Sequence, residues 1–327
     1  MVELKKGFSK VWKSFLPLHT NGDVAFIFLY HTIEKDGEIF PWTHGHRYVT
    51  PLKNFKIQIE FIKKHFNIVS TSDLIHSIQF NKHKGKMLAA IHFDDGFRSY
   101  IDIAVPHLNA LKIPSTVFLT YNNIRGDIPL RNKIAYCINT KIKMHYLAEM
   151  NKLQEEMNMY AIDLRKMSIH NILAWSKKNF TTEMEQLTNE IFAETNGCST
   201  EKSPFLNMKL VTSLNNMSNI EIGSHTLSHP MLSKLNLEQQ KYEILTGHQK
   251  LEELLGKSLC FFAYPFGGRS HFNKDSRDIV ASKEGLTAFS TYGGINCEFD
   301  NTDMKRITVT DQSAFSLKRI IISNFIH

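Results

Sequence analysis

Nothing in these 327 residues approaches the roughly 18 consecutive apolar residues that a membrane-crossing helix needs. The longest early apolar run, Val24–Tyr30, is short and ends at His31 without a small-residue cleavage site. It therefore reads as a core strand and not as an export signal. Cysteine is scarce: the four (Cys137, Cys198, Cys260, Cys297) are far apart, with no C-x-x-C pair and no Cys/His cluster. In a chain without an export signal they are expected as buried or free thiols, and a cytoplasmic location follows as the default. Internal repeats and low-complexity linkers are absent too. The net charge of +7 would suit an anionic partner, but the lysines are scattered and carry no interleaved aromatics. Nucleic acid is accordingly not an expected partner.

One stretch is both basic and amphipathic. Phe8, Val11, Trp12, Phe15 and Leu16 fall at helical spacing among Lys5, Lys6, Lys10 and Lys13. Such a helix could lie on an anionic membrane surface. Packing on the body of the fold is the preferred reading, because any core-facing helix shows one apolar stripe.

From Val24 onward strand-like and helix-like segments alternate. Strands are predicted at Val24–His31, Ile68–Ser70, Met87–Phe93, Ser115–Thr120, Ile220–Ser224, Leu259–Tyr264, Leu286–Thr291 and Arg306–Thr310. Helices are predicted at Pro51–His65, Asp73–Gln79 (capped by Thr71 or Ser72), Ile101–Leu111 despite Pro106, Leu237–Leu255 and Asp275–Glu284. Near-continuous apolar strands between helices argue for a parallel α/β sheet covered on both faces, as a barrel or a doubly wound sheet. The rhythm breaks between Asn122 and Met217, a methionine-rich segment with predicted helices at Met144–Asn158 and Glu183–Glu194. We read it as a helical insertion at about 122–217 in a single domain spanning 1–327. Its methionines suit an adaptable core better than a ligand-binding lid.

Three short stretches could carry chemistry. His92-Phe93-Asp94-Asp95-Gly96 puts two adjacent carboxylates at the C-terminal end of an apolar strand. Active sites of parallel α/β folds lie there, and the pair needs a cation to hold it ionised; otherwise it is a solvated turn. Gly223-Ser224-His225-Thr226-Leu227-Ser228-His229-Pro230 offers two imidazoles four residues apart, which converge if the loop coils by one turn. With a carboxylate they complete a three-ligand site for a zinc-like ion; without one they are surface or capping histidines. Phe261–Gly268 ends another strand in an aromatic-proline-glycine corner, Tyr264-Pro265-Phe266, which could wall a groove and aim N–H groups at a reacting oxygen.

Taken together and in this order, the stretches resemble the polysaccharide deacetylases with a NodB-homology domain, carbohydrate esterase family four. His92–Gly96 resembles the family's T-F-D-D-G motif, His225–His229 its H-[ST]-x-x-H motif, and Phe262–Gly267 the variant F-A-Y-P-[FY]-G. Leu29–Ile33 and Val49–Leu74 resemble the start of one bacterial branch, and the likeness covers roughly 24–121 and 218–310. It implies a distorted (β/α) barrel of fewer strands than the full eight. It also implies a divalent metal, zinc first with cobalt or nickel as substitutes, on Asp95, His225 and His229. Asp94 would be the base, the N–H of Phe266 an oxyanion donor, and an acetylated glycan the substrate.

The chain departs from that pattern at three points. His92 stands where the family has Thr or Ser. Ala263 stands where many members have an arginine that pairs with the base, a charge that Arg306 could supply instead. No late Leu-x-His motif is present to supply the acid. His31, at the end of the first strand, is the substitute acid, or else a structural hydrogen-bonding group of the rim. His44 and His46 in the following loop read as solvated. The two missing motifs keep a second hypothesis open, a catalytically silent carbohydrate-binding protein; an O-acetyl esterase is a third.

Overall fold

The computed structural model describes residues 24–38, 40–80, 87–157, 159, 162–195 and 203–326. The basic amphipathic stretch at residues 8–16 lies outside them. The described residues contain ten strands: β1 Ala25–Tyr30, β2 Thr32–Glu34, β3 Val49–Pro51, β4 Asn67–Ile68, β5 Leu88–Phe93, β6 Ser115–Leu119, β7 Ile220–Ser224, β8 Phe261–Ala263, β9 Thr287–Phe289 and β10 Ile307–Thr308. Eight form one sheet, with seven in the order β10-β1-β5-β6-β7-β8-β9 and β4 beside β5. Every strand pair in it is parallel. An isolated parallel bridge, Phe289 to Met304, links β9 to the chain leading into β10. The sheet curls into a half-barrel flanked by helices.

Alternation along the strands builds two cores. Phe26, Phe28, Tyr30, Ala89, Ile91 and Phe93 face the helices outside. Ala25, Ile27, Leu88, Ala90, Phe118, Phe261, Ala263 and Phe289 fill the barrel interior. Because both faces are covered, all six residues of β1 and of β5 are buried, which is why β1 reads as an unbroken apolar run and β5 as one interrupted only by His92.

Several boundaries differ from the sequence expectation for local reasons. The helix Thr71–Gln79 is capped by Ser70, whose hydroxyl accepts the N–H of Asp73, and not by Thr71 or Ser72. The helix around Pro106 is α only from Val105 to Ala110, with a π turn over Tyr100–Ala104 before it. Proline has no N–H to donate, and its position in the first turn of the α segment makes that loss harmless. The expected helix Leu237–Leu255 likewise contains a π turn, Tyr242–Thr246. β2 and β3 pair as a separate two-stranded sheet, and Ala314–Ile326 forms a last helix; neither was expected.

Among the described residues, segment 122–217 contains no strand. Helices Leu130–Asn139, Lys143–Glu156, Ile169–Asn179 and Thr182–Glu194 share an apolar cluster that includes Ile134, Tyr146, Met150, Met184 and Phe192. Trp42, from the loop after β2, is buried in the same cluster and ties it to the barrel rim. No described helix is long and apolar enough to cross a membrane.

Candidate active site

Parallel pairing puts the C-terminal ends of β5, β7 and β8 on one rim, where Asp94, Asp95, His225, His229 and Phe266 emerge. They line a cavity of about 240 Å³ together with His31, Tyr48, Arg131 and His271. The backbone there is unusual. Of the five non-glycine residues with positive φ among the described residues, four are Asp95 (70°), Thr226 (67°), His229 (66°) and Phe266 (62°). Left-handed backbone is costly for a β-branched or aromatic residue, and such outliers collect at functional sites.

The turn that brings the two histidines together is held from several sides. The Thr226 hydroxyl accepts the N–H of His229 at 2.9 Å, closing the one-turn coil. The Glu243 carboxylate accepts the N–H groups of Leu227 and Ser228 at 3.1 and 2.9 Å. Glu243 sits in the π turn, which fits a bulge placed to serve a site. Directly after it, Gly247 packs so tightly under the turn that a Cβ would stand 2.4 Å from the nitrogen of Leu227.

Asp95 Oδ1 lies 3.1 Å from His229 Nε2 and 3.6 Å from His225 Nε2. Donors about 2.0–2.2 Å from a tetrahedral ion stand about 3.4 Å apart, so this spacing fits zinc. Asp95 Oδ1 is also buried without a hydrogen-bond partner, an atom that a cation would satisfy. His225 Nδ1 donates to the carbonyl of Ala263 at 2.7 Å, which leaves Nε2 as the lone-pair face. Burial holds both histidines below their ordinary pKa against the pull of the nearby aspartates, so the neutral, ligating form prevails at neutral pH. For Asp95, burial pushes the pKa up but Arg131 and His229 outweigh it, and the carboxyl stays well below its usual range.

Arg306 takes up the position left by Ala263. Its Nη1 and Nη2 donate to the two oxygens of Asp94 at 2.7 and 2.8 Å, and Nε donates to the carbonyl of Ser290 at 3.0 Å. Its side chain has no exposed surface. β10 pairs with Phe28 and Leu29 of β1, so Arg306 enters from inside the barrel, over the ring of Phe118. Burial would raise the pKa of Asp94, but Arg306, then His225, bring it below the ordinary carboxylate value. Asp94 is thus an ionised group in a dry setting.

His31 lies on the same rim, its Nδ1 buried without a hydrogen-bond partner. That nitrogen makes no rim hydrogen bond. Burial lowers its pKa, against the influence of Asp95 and Asp94. Two expectations need correction. His46 is not solvated: its ring stacks on Tyr48 at 4.7 Å, and burial drives its pKa down to about 3. Tyr264 and Pro265 do not line the cavity; the Tyr264 ring stacks on Phe272 at 4.0 Å, and its N–H is taken by the carbonyl of Phe289. Of that corner only Phe266 reaches the cavity, 4.8 Å from the ring of His229. His92 is buried in the interior, bonded to Thr71 at 2.8 Å, away from the cavity. Sequence reading missed Arg131, Tyr48 and His271, which lie outside all three motifs.

Comparison with known proteins gives the family and the fold. The family model described as polysaccharide deacetylase matches residues 81–288, and the chain belongs to that family. Its membership makes it, by class, a hydrolytic deacetylase acting on polysaccharide. Among solved structures it is similar to IcaB from Ammonifex degensii, at 16% identity over 91% of this chain and 97% of that one, with a TM-score of 0.59. A de-N-acetylase from Aggregatibacter actinomycetemcomitans aligns at 15% identity over 91% of this chain and all of its own, TM-score 0.56. Streptococcus pyogenes deacetylase PplD, in complex with acetate, aligns at 15% identity over 92% and 99%, TM-score 0.54. At these identities the likeness is one of fold. No curated protein sequence matches the chain.

Proposed function

We propose that the chain removes acetyl groups, N-acetyl in the first place, from a polysaccharide or glycan precursor, with a divalent ion on Asp95, His225 and His229. The observation that carries this reading is the buried convergence of those three donors beside an Asp94 locked to Arg306. A bound ion would supply Lewis acidity, polarising a carbonyl and lowering the pKa of water. Asp94, kept ionised by Arg306, takes the proton as the water oxygen bonds to the acetyl carbon. The C–N bond then breaks as the departing nitrogen takes up a proton; His31, neutral at rest, is the proposed donor once it has received the proton held by Asp94, and acetate and a free amine result. Phe266, at the cavity wall, is the proposed N–H donor to the carbonyl oxygen as it becomes negative.

Zinc fits the two-imidazole, one-carboxylate donor set, with cobalt or nickel able to substitute. The silent-binding hypothesis drew its motive from the missing arginine and the missing Leu-x-His acid motif; the Arg306–Asp94 pair answers the first, and the second rests on His31.

The test is acetate release from acetylated amino-sugar oligomers, with an acetyl-ester analogue beside them, after chelation and after adding zinc or cobalt. Release from the amide that the metal restores is expected. Release from the ester alone would favour the esterase. Glycan binding with no release in any metal state would overturn the reading.

A further inference from the structure

Among the described residues of the helical insertion, Arg131 is the one that lines the cavity. Arg131, near the start of helix Leu130–Asn139, donates from Nη2 to Asp95 Oδ2 at 2.7 Å. Asp95 therefore has one oxygen committed to the insertion and the other, Oδ1, facing His229 and His225. A carboxylate rotates in a broad, nearly two-fold well, so its own packing would not choose which oxygen points where. A charge-assisted bond from a fixed guanidinium makes that choice.

Arg131 is itself held. Its guanidinium lies over the ring of Tyr48, 5.3 Å from the centroid. Tyr48 is stacked in turn on His46 and, at 5.7 Å, on Phe97. The next residue, Asn132, is fully buried and donates to the carbonyl of Trp42 at 3.0 Å. At the other end of the helix, Asn139 donates to the carbonyls of Pro41 and His44 at 3.3 and 3.0 Å. The helix is thus tied at both ends to the loop after β2, and the arginine starts from a fixed base.

We infer that Arg131 is a positioning residue for the metal site: it grips the outer oxygen of Asp95 so that the inner oxygen faces the ion. The helical insertion is then a structural part of that site. This rests on the metal reading above. The guanidinium also has an opposing effect, because it is a cation beside a cation's ligand. Loss of orientation at such an outer partner weakens metal binding about 10- to 100-fold. Loss of its charge alone would tighten binding. The two effects differ in sign, which makes the measurement decisive.

The full chain, stripped by chelation, is titrated with Co²⁺, reading the dissociation constant and the visible d–d absorption. Wild type is compared with Arg131→Met, Arg131→Lys and Asn132→Ala, each checked for cooperative unfolding. Arg131→Met is expected to bind Co²⁺ about 10- to 100-fold more weakly with an altered band. Lysine should recover part of both, because it can still donate to Oδ2. Asn132→Ala, which keeps the guanidinium but unties its helix, should fall between wild type and Arg131→Met. If Arg131→Met does not fold, the lysine and Asn132 variants carry the test through the same two readouts. Unchanged or tighter binding with an unchanged band would overturn the inference and leave the metal site standing. Failure of wild type to bind Co²⁺ would overturn the metal reading, and this inference with it.

Discussion

Replacing Arg306 with methionine removes a cation of similar length from beneath Asp94 and leaves that carboxylate buried at about 2% exposure. Both guanidinium bonds to Asp94 are lost, along with the bond to the carbonyl of Ser290. Breaking a buried ion pair from one side costs about 3–5 kcal/mol, most of it the penalty on the stranded charge. The cost should depend on pH with a definite sign. In wild type the folded pKa of Asp94 is lowered, so the pair's contribution is present above the unfolded value near 3.9 and is lost as pH falls through the folded one. In the variant only burial and weaker neighbours remain, the folded pKa rises, and the folded form recovers stability by taking up a proton as pH falls. The gap between the two proteins should therefore narrow by up to about 1.4 kcal/mol per pH unit below the raised pKa. Urea unfolding of wild type, Arg306→Met, Asp94→Asn and the double variant at pH 7 and pH 5 measures this. The double variant should lose much less than the sum of the singles. Additive losses, or a gap that does not change with pH, would refute the argument that Arg306 acts on stability through the Asp94 charge.

Two further outcomes follow from the site's surroundings. Alanine at Gly247 should favour a helix by about 1 kcal/mol on propensity. Here its Cβ meets the backbone of Thr226 and Leu227, so a net loss of about 1–3 kcal/mol and weaker metal binding are expected, by denaturation and Co²⁺ titration. His46 is neutral in the fold down to about pH 3 while the unfolded chain protonates near 6.5. Its contribution should be present above pH 6.5 and lost below it, at no more than about 1.4 kcal/mol per unit. His46→Gln should flatten that part of the urea midpoint profile between pH 7 and 4, and an unchanged profile would count against the buried imidazole.

The sequence disclosed the strands best where both faces are buried, as in β1 and β5, because there nearly every residue is apolar, His92 being the exception. It hid β2 and β3, which have three residues each, too few for a period to show. The histidine pair and the aspartate pair were legible because local spacing alone brings each pair to one place. Arg131 was not, because its approach to Asp95 depends on how a helix 36 residues later docks on a loop from near the N-terminus. Tyr264 misled for a related reason. The corner Tyr264-Pro265-Phe266 has one recognisable pattern, but only the left-handed turn at Phe266 decides which ring faces the cavity. His46 looked solvated because a polar loop gives no sign that an aromatic stack will enclose it.

The four left-handed residues around the cavity make this rim the place where stability and chemistry pull against each other. Each sits where glycine or asparagine would be at ease, yet Thr226 supplies the hydroxyl that closes the turn, and Asp95 and His229 supply the proposed ligands, none of which either residue could replace in kind. A library selected only for heat resistance should therefore gather substitutions at 95, 226, 229 and 266 and return well-folded, inactive proteins. One selected for turnover should leave those positions alone and find its stabilising changes in the helices instead.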